Sequence, residues 1–212
     1  MGIIIVTMGI VDIKEIITII VIVLLSISIH EFAHCYITDT LGDDTPRSLG
    51  RVTLNPLKHL DPFGTVMIVV MAFSGFGIGW GKPSPCNPNN FRNPRRDNML
   101  SALAGPLSNI AVMLVSIGIL QLTNLEFFWL AAIINLSLAI FNLLPIFPLD
   151  GHYVLGCFLP DSAQPILTSP ICSILLLTIV LIPDLNEAVL GKFFGAVIPA
   201  VIYAAQDVGV VF

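Results

Sequence analysis

Two histidines and a glutamate stand inside an apolar run: His30-Glu31-Phe32-Ala33-His34 follows residues 16–29 with no helix breaker between them. At positions i and i+4 of a helix the two imidazoles lie on one face, where both can reach a single Zn2+. The adjacent Glu31 can then serve as general base toward a water activated there. Zinc suits two nitrogens and an oxygen better than calcium or magnesium does. Without a metal, three such groups in an apolar helix carry a heavy desolvation cost, so this setting disfavours a chance HExxH.

A catalytic zinc takes a third protein ligand and keeps one position open. Asp150 is the best candidate. It lies in Asn142-Leu143-Leu144-Pro145-Ile146-Phe147-Pro148-Leu149-Asp150-Gly151, where two prolines forbid an unbroken helix and Gly151 lets backbone approach closely, so the carboxylate can turn inward. Asn142 has two readings, an amide that stabilises a developing oxyanion or a helix-capping and packing amide. Gly105 and Ser108, with Asn109, form a G-x-x-x-N spacing read chiefly as close helix packing, with Asn109 bonding to a neighbouring helix. His152 follows Asp150-Gly151 and is a candidate to support a ligand, whereas His59 belongs to a polar loop. Asp12, Asp61 and Glu126 read as residues at membrane boundaries.

Helices in a membrane must position these groups. Of 212 residues, 56% are hydrophobic and only 11% charged, too few to clothe a soluble domain of this size. The apolar runs recur along the whole chain, which points to an all-α polytopic membrane protein, a helical bundle of about five to six transmembrane segments. A formal charge of −5 with no broad basic field excludes nucleic acid as a natural partner. Cys35, Cys86, Cys157 and Cys172 form no CxxC pair, so neither a disulfide scaffold nor a zinc knuckle is expected.

Residues 1–11 are apolar but too short to cross alone, and removal as a signal peptide is not expected because it would take the His-Glu-His group with it. A helix over residues 12–38 spans, with its polar groups in the second half. Residues 39–61 are a polar loop in which residues 51–54 alternate as a short strand would. Residues 63–80 are apolar and glycine-rich, and residues 81–98 form a loop rich in proline and asparagine. Further apolar segments cover residues 100–122, 127–149, 166–182 and 189–211. If residues 63–80 crossed completely, Asp150 would end at the face opposite the histidines. A short β-like or re-entrant region after the first catalytic helix instead brings both polar clusters to one depth. It also gathers Arg92, Arg95 and Arg96 with Arg47, Arg51 and Lys58 on the side that positive-inside bias assigns to the cytoplasm. The chain is read as a single integral-membrane domain, residues 1–212, with a catalytic core over 12–150 and C-terminal membrane helices over 160–212.

The residues resemble the site-2 protease family of intramembrane zinc metallopeptidases, peptidase family M50. His30 to His34 matches its HExxH, Asn142 to Gly151 its NxxPxxxLDG, and Gly105 to Asn109, Gly50-Arg51-Val52-Thr53-Leu54-Asn55-Pro56 and Gly79-Trp80-Gly81-Lys82-Pro83 also correspond. The resemblance implies one Zn2+ per chain held by His30, His34 and Asp150, water activation by Glu31, and assistance at the peptide carbonyl by Asn142. It implies a transmembrane protein or peptide as substrate, an upstream protease or gating partner, and a short form without PDZ or CBS domains. A prokaryotic cell membrane is the expected location, with the site nearer the cytoplasm. Cys86 and His152 depart from the family's usual residues without touching the catalytic set. The alternatives are a metal-ion transporter using the same His and Asp ligands, and an inactive membrane adaptor.

Overall fold

The computed structural model describes residues 12–74 and 79–207. The apolar stretch 1–11, Gly75 and Gly77 of the glycine-rich segment, and the end of the last apolar run beyond residue 207 lie outside the described residues. Among the described residues the chain is helical with no strand, the all-α membrane architecture expected from composition. Four helical stretches are long and apolar enough to cross a membrane: Ile13–Thr40, Pro94–Thr123, Gln164–Leu181 and Pro183–Tyr203.

Helix α1, Ile13–Thr40, begins on Asp12, whose carboxylate accepts from the Lys14 amide. No proline or glycine interrupts it until Gly42, which takes φ 110° and ends it. Gly42 N–H donates to Asp39 O and Asp43 N–H to Thr38 O, each at 3.2 Å, the paired bonds that close a helix C-terminus. At about 1.5 Å per residue α1 is about 42 Å long, and His30 lies about 26 Å from its start, in the half facing the polar loops.

Helix α2, Pro62–Ser74, is capped by Asp61, which accepts from Gly64 N–H at 2.8 Å. Its 13 residues reach about 20 Å, short of the roughly 30 Å hydrocarbon core. The chain then comes back. Gly81 pairs antiparallel with Leu60, and Lys82 N–H donates to His59 O at 2.7 Å. The returning segment lies against the helix it left, so closely that a Cβ on Gly64 would stand 2.0 Å from Trp80 O and one on Gly79 would stand 2.1 Å from Ile68 Cγ1. Leu60 and Gly81 therefore stand on the same side.

Residues 51–54 are not the strand their alternation suggested. Local bonds take the backbone instead: Arg51 N–H donates to Pro46 O at 2.8 Å and Thr53 N–H to Arg51 O at 3.0 Å. The Arg51 side chain, 5% exposed, turns inward and donates to Lys82 O at 2.7 Å and Pro83 O at 3.3 Å. His59, fully buried, donates its Nε2–H to Thr53 O at 2.7 Å. This loop is a clamp on the returning segment.

Helix α3, Pro94–Thr123, starts on a proline, contains Pro106, and ends at Asn124 in the left-handed conformation, φ 55°. Helix α4, Glu126–Asn142, runs back beside it for about 26 Å. Pro145 and Pro148 keep residues 143–150 out of helix, with the Phe147–Pro148 peptide cis, before α5, Gly151–Phe158. Helices α6, Pro170–Leu181, and α7, Lys192–Asp207, complete the described chain. One apolar core joins α1, α2 and α4 through Ile19, Ile68 and Ile134; a second joins Phe141 and Leu149 to Val180 and Phe194, packing the C-terminal helices against the proline loop. Because α2 with its return is re-entrant, α1 and α4 run the same way, and Asp150 reaches the depth of His30.

Candidate metal centre

Two elements from distant parts of the chain supply the ligands. His30 and His34 come from adjacent turns of α1, and Asp150 comes from the proline loop beyond α4. His30 Nε2 and His34 Nε2 are 3.0 Å apart, and Asp150 Oδ2 lies 3.2 Å from the first and 3.3 Å from the second. Four ligands about 2.0–2.1 Å from a tetrahedral zinc are about 3.3 Å from one another. The triangle has the size that zinc requires, and these residues alone among the described ones gather as a metal-capable His, Cys, Asp or Glu group.

Hydrogen bonding on the far side of each ring places one proton. His34 Nδ1 faces the Ser101 backbone carbonyl at 2.7 Å, and a carbonyl only accepts, so Nδ1 carries the proton. His30 Nδ1 donates to Asn109 Oδ1 at 2.6 Å. In the neutral rings, the form that ligates a metal, both Nε2 atoms turn lone pairs inward, and their 3.0 Å approach is then not a hydrogen bond. Asp150 Oδ2 likewise has no hydrogen-bond partner of sound geometry despite its two near neighbours. Three electron-pair donors converging in a buried place repel one another, and a divalent cation turns that repulsion into attraction.

Glu31 adjoins the triangle. It is 6% exposed, its Oε2 has no partner, and its Cγ would lie 3.3 Å from a Cβ on Gly81. A cavity of about 320 Å3 opens onto Glu31, both histidines and Asp150, walled by Trp80, Phe147 and Tyr153. An orphaned buried carboxylate oxygen that faces a cavity suits a group whose partner is water or substrate.

Helix α3 supports the ligands from behind. A Cβ on Gly105 would stand 2.3 Å from His34 Nε2 and 2.6 Å from His30 Nε2, so only glycine lets α3 pass beneath the pair. Beyond the packing role read from sequence, Gly105 sets where the ligating atoms can be. Asn109, assigned to packing, touches a ligand directly. Thr38 and Ser101 hydroxyls share a bond of 2.5 Å that fastens α1 to α3 one turn from His34. Asn135, Ser101 and Ser26 were not singled out by sequence reasoning. An amide in the midst of an apolar run was the available signal for Asn135; a backbone carbonyl such as Ser101 O leaves none.

Asn142 is placed behind the cavity wall. It is buried at the end of α4, donates to Leu138 O at 2.9 Å, and is not among the residues lining the cavity. His152 donates its Nδ1–H to Leu149 O at 2.5 Å, fastening the turn that carries Asp150. Asp12, Asp61 and Glu126 all stand at helix starts.

Outside the membrane-spanning helices, Asp43 secures the loop that leads to α3. It accepts from Thr45 N–H and Oγ1–H, Asn87 N–H at 2.6 Å and Asn90 Nδ2–H at 2.8 Å. Burial pushes its carboxyl up, but these hydrogen bonds outweigh burial and hold it below the ordinary carboxylate range.

A family profile described as peptidase family M50 matches residues 119–182, which include the proline loop and Asp150 but not His30 or His34. YwhC of Bacillus subtilis, whose name carries the words zinc metalloprotease, is 37% identical over 159 residues, 68% of this chain and 70% of its own length. Rip2 of Mycobacterium tuberculosis H37Rv, similarly named, is 30% identical over 82% of this chain and 69% of its own. Rip2 of Mycolicibacterium smegmatis is 27% identical over 77% of this chain and 66% of its own. No solved structure matches. None of these names favours metal-ion transport.

Proposed function

We propose that this chain, which belongs to peptidase family M50, is a zinc metalloprotease that hydrolyses peptide bonds within or beside transmembrane segments of other membrane proteins. The observation that carries the reading is the convergence of three lone-pair donors 3.0–3.3 Å apart, beside an orphaned glutamate, in a cavity among membrane helices. His30, His34 and Asp150 would hold one zinc ion. When bound, zinc supplies Lewis acidity, which polarises a peptide carbonyl and acidifies water at neutral pH.

Glu31 takes the proton of the attacking water on Oε2 and delivers it to the departing amine, so no acyl-enzyme is needed. Burial keeps Glu31 from competing water, and the aromatic walls of the cavity hold the peptide close. Asn142 is assigned the hydrogen bond to the substrate carbonyl, exchanging Leu138 O for it. A helical substrate hides its carbonyls in its own hydrogen bonds, so it must unwind locally, and helix-breaking residues near the cut should favour cleavage. A partner or an upstream protease that exposes such a segment fits this requirement. The basic residues Arg92, Arg95 and Arg96 belong to the loop that leads into α3, and positive-inside bias supports a site on the cytoplasmic side; the bacterial relatives support a prokaryotic cell membrane.

Purified protein incubated with labelled membrane-spanning peptides tests the reading. Wild type should cleave, a zinc chelator should stop it, and Glu31→Gln should retain zinc while losing about 10²–10⁴-fold in rate. Metal flux into vesicles that survives Glu31→Gln, without chelator-sensitive cleavage across a diverse peptide set, would overturn it.

A further inference from the structure

We infer that Asn135, on α4 and remote from the cavity, is a positioning residue that fixes the tautomer of His30 by locking the side-chain amide of Asn109. The inference rests on His30 being a zinc ligand, as proposed above. Asn109 and Asn135 are both fully buried, so neither amide can trade partners with water.

The orientation of each amide follows from one backbone atom. Asn135 lies within 2.9 Å of Ala131 O, a carbonyl that only accepts, and within 2.9 Å of Ser26 Oγ on α1. The group facing them must be the Nδ2 amide, whose two hydrogens serve the two oxygens. Asn135 Oδ1 is thereby turned toward Asn109, 2.9 Å away, and there it can only accept. Asn109 must then present Nδ2 to Asn135 and Oδ1 to His30, whose Nδ1 is 2.6 Å from it. Facing an oxygen, Nδ1 holds the proton of the neutral ring, and Nε2 is left with the lone pair that a metal needs. The constraint runs from a carbonyl on α4 through two amides to a ligand on α1.

His34 needs no such relay, because Ser101 O can never donate. Asn109 differs: an unlocked amide can rotate its NH2 toward His30 and stabilise the tautomer with its proton on Nε2, which excludes metal. Asn135 removes that second state.

Relay and packing roles make crossed demands on substitution. Leucine at 135 suits an apolar helix interior but offers Asn109 nothing, whereas aspartate still offers an acceptor oxygen, charged or protonated at its outer oxygen. We expect Asn135→Leu to weaken zinc binding about 10–100-fold, measured by competition with a chromophoric chelator, the range for residues supporting a ligand. Asn135→Asp should stay within about threefold of wild type. Adding Asn109→Asp to Asn135→Leu should recover most of the loss, because a carboxylate presents oxygen to His30 whichever way it turns.

Wild-type zinc affinity for Asn135→Leu would overturn the relay. So would a loss shared equally by Leu and Asp, or one that Asn109→Asp does not repair, since packing alone would then account for it. If Asn135→Leu does not fold, Asn135→Asp decides: folded protein that binds zinc more than tenfold more weakly overturns the relay. Wild type that binds no zinc, or binds it unchanged by His30→Ala, marks failure of the site itself and not of the relay.

Discussion

Gly105→Ala should separate the stability of the fold from the integrity of the metal site. The added Cβ meets His34 Nε2 at 2.3 Å, His30 Cε1 at 2.5 Å and His30 Nε2 at 2.6 Å. Ordinary carbon contacts begin near 3.5 Å, so the imidazoles must retreat by about 1 Å. Ligand distances in a metal site tolerate about 0.2 Å, so the displacement exceeds tolerance roughly fivefold. For helix α3 alone the change is favourable, by about 0.5–1 kcal/mol. Losing the imidazole bonds to Asn109 and Ser101 costs about 0.5–1.5 kcal/mol each. The terms sum to a loss of about 0–2.5 kcal/mol, and the metal-free protein should melt no more than about 10 °C below wild type. Zinc affinity should nevertheless fall by at least about 100-fold, since even residues supporting a ligand change it 10–100-fold. Thermal melts in chelator, zinc competition and cleavage of a membrane-spanning peptide measure the three quantities. A Gly105→Ala protein that holds zinc as tightly as wild type and cleaves at its rate would refute the close passage of α3 beneath the histidines.

Asp150→Asn should cost more than about 100-fold in zinc affinity while leaving the fold intact, read by metal content after dialysis, because it replaces the anionic ligand with a neutral amide. Gly64→Ala drives a Cβ into Trp80 O and should displace the Trp80 wall of the cavity; kcat/KM should fall while zinc affinity stays as in wild type. Asp43 has a lowered folded pKa, so its contribution is fully present above about pH 4 and is lost as pH falls through the folded value; melting temperature should drop below pH 4. Asp43→Asn turns an NH2 toward donors and should cost about 1–3 kcal/mol at neutral pH while flattening that acid limb.

The parts of the site that were legible from sequence are those whose cost is local. A histidine pair and a carboxylate in apolar runs need a reason wherever they fold, and two prolines before Asp150 mark a break in helix whatever surrounds it. A return of the chain after residue 63 to the side it left followed from the need to bring His30 and Asp150 to one depth, and the pairing of Leu60 with Gly81 supplies it. Residues 51–54 misled because alternation records which side chains are apolar and not where backbone bonds go. The inward turn of Arg51 onto Lys82 O and Pro83 O depends on a segment some thirty residues later. Asn109 and Asn135 were visible as polar residues, but their task is set by which end of each amide faces which neighbour, and only assembled helices decide that.

The bonds that tie these helices together are also the bonds that prepare the ligands. Asn135 to Ser26 joins α4 to α1, Asn109 to Asn135 joins α3 to α4, and Ser101 reaches α1 through both Thr38 and His34. In lipid, where apolar side chains gain little by meeting one another, such polar contacts are a natural adhesive, yet each contributes only about 0.6 kcal/mol on average. Residues that support a metal ligand typically shift metal affinity by about 10–100-fold, equivalent to roughly 1.4–2.7 kcal/mol. Their larger effect is therefore expected on zinc and not on the fold. The polar groups left inside this apolar bundle are better explained by ligand preparation than by helix association, and substitutions among them should register in metal affinity before they register in melting temperature.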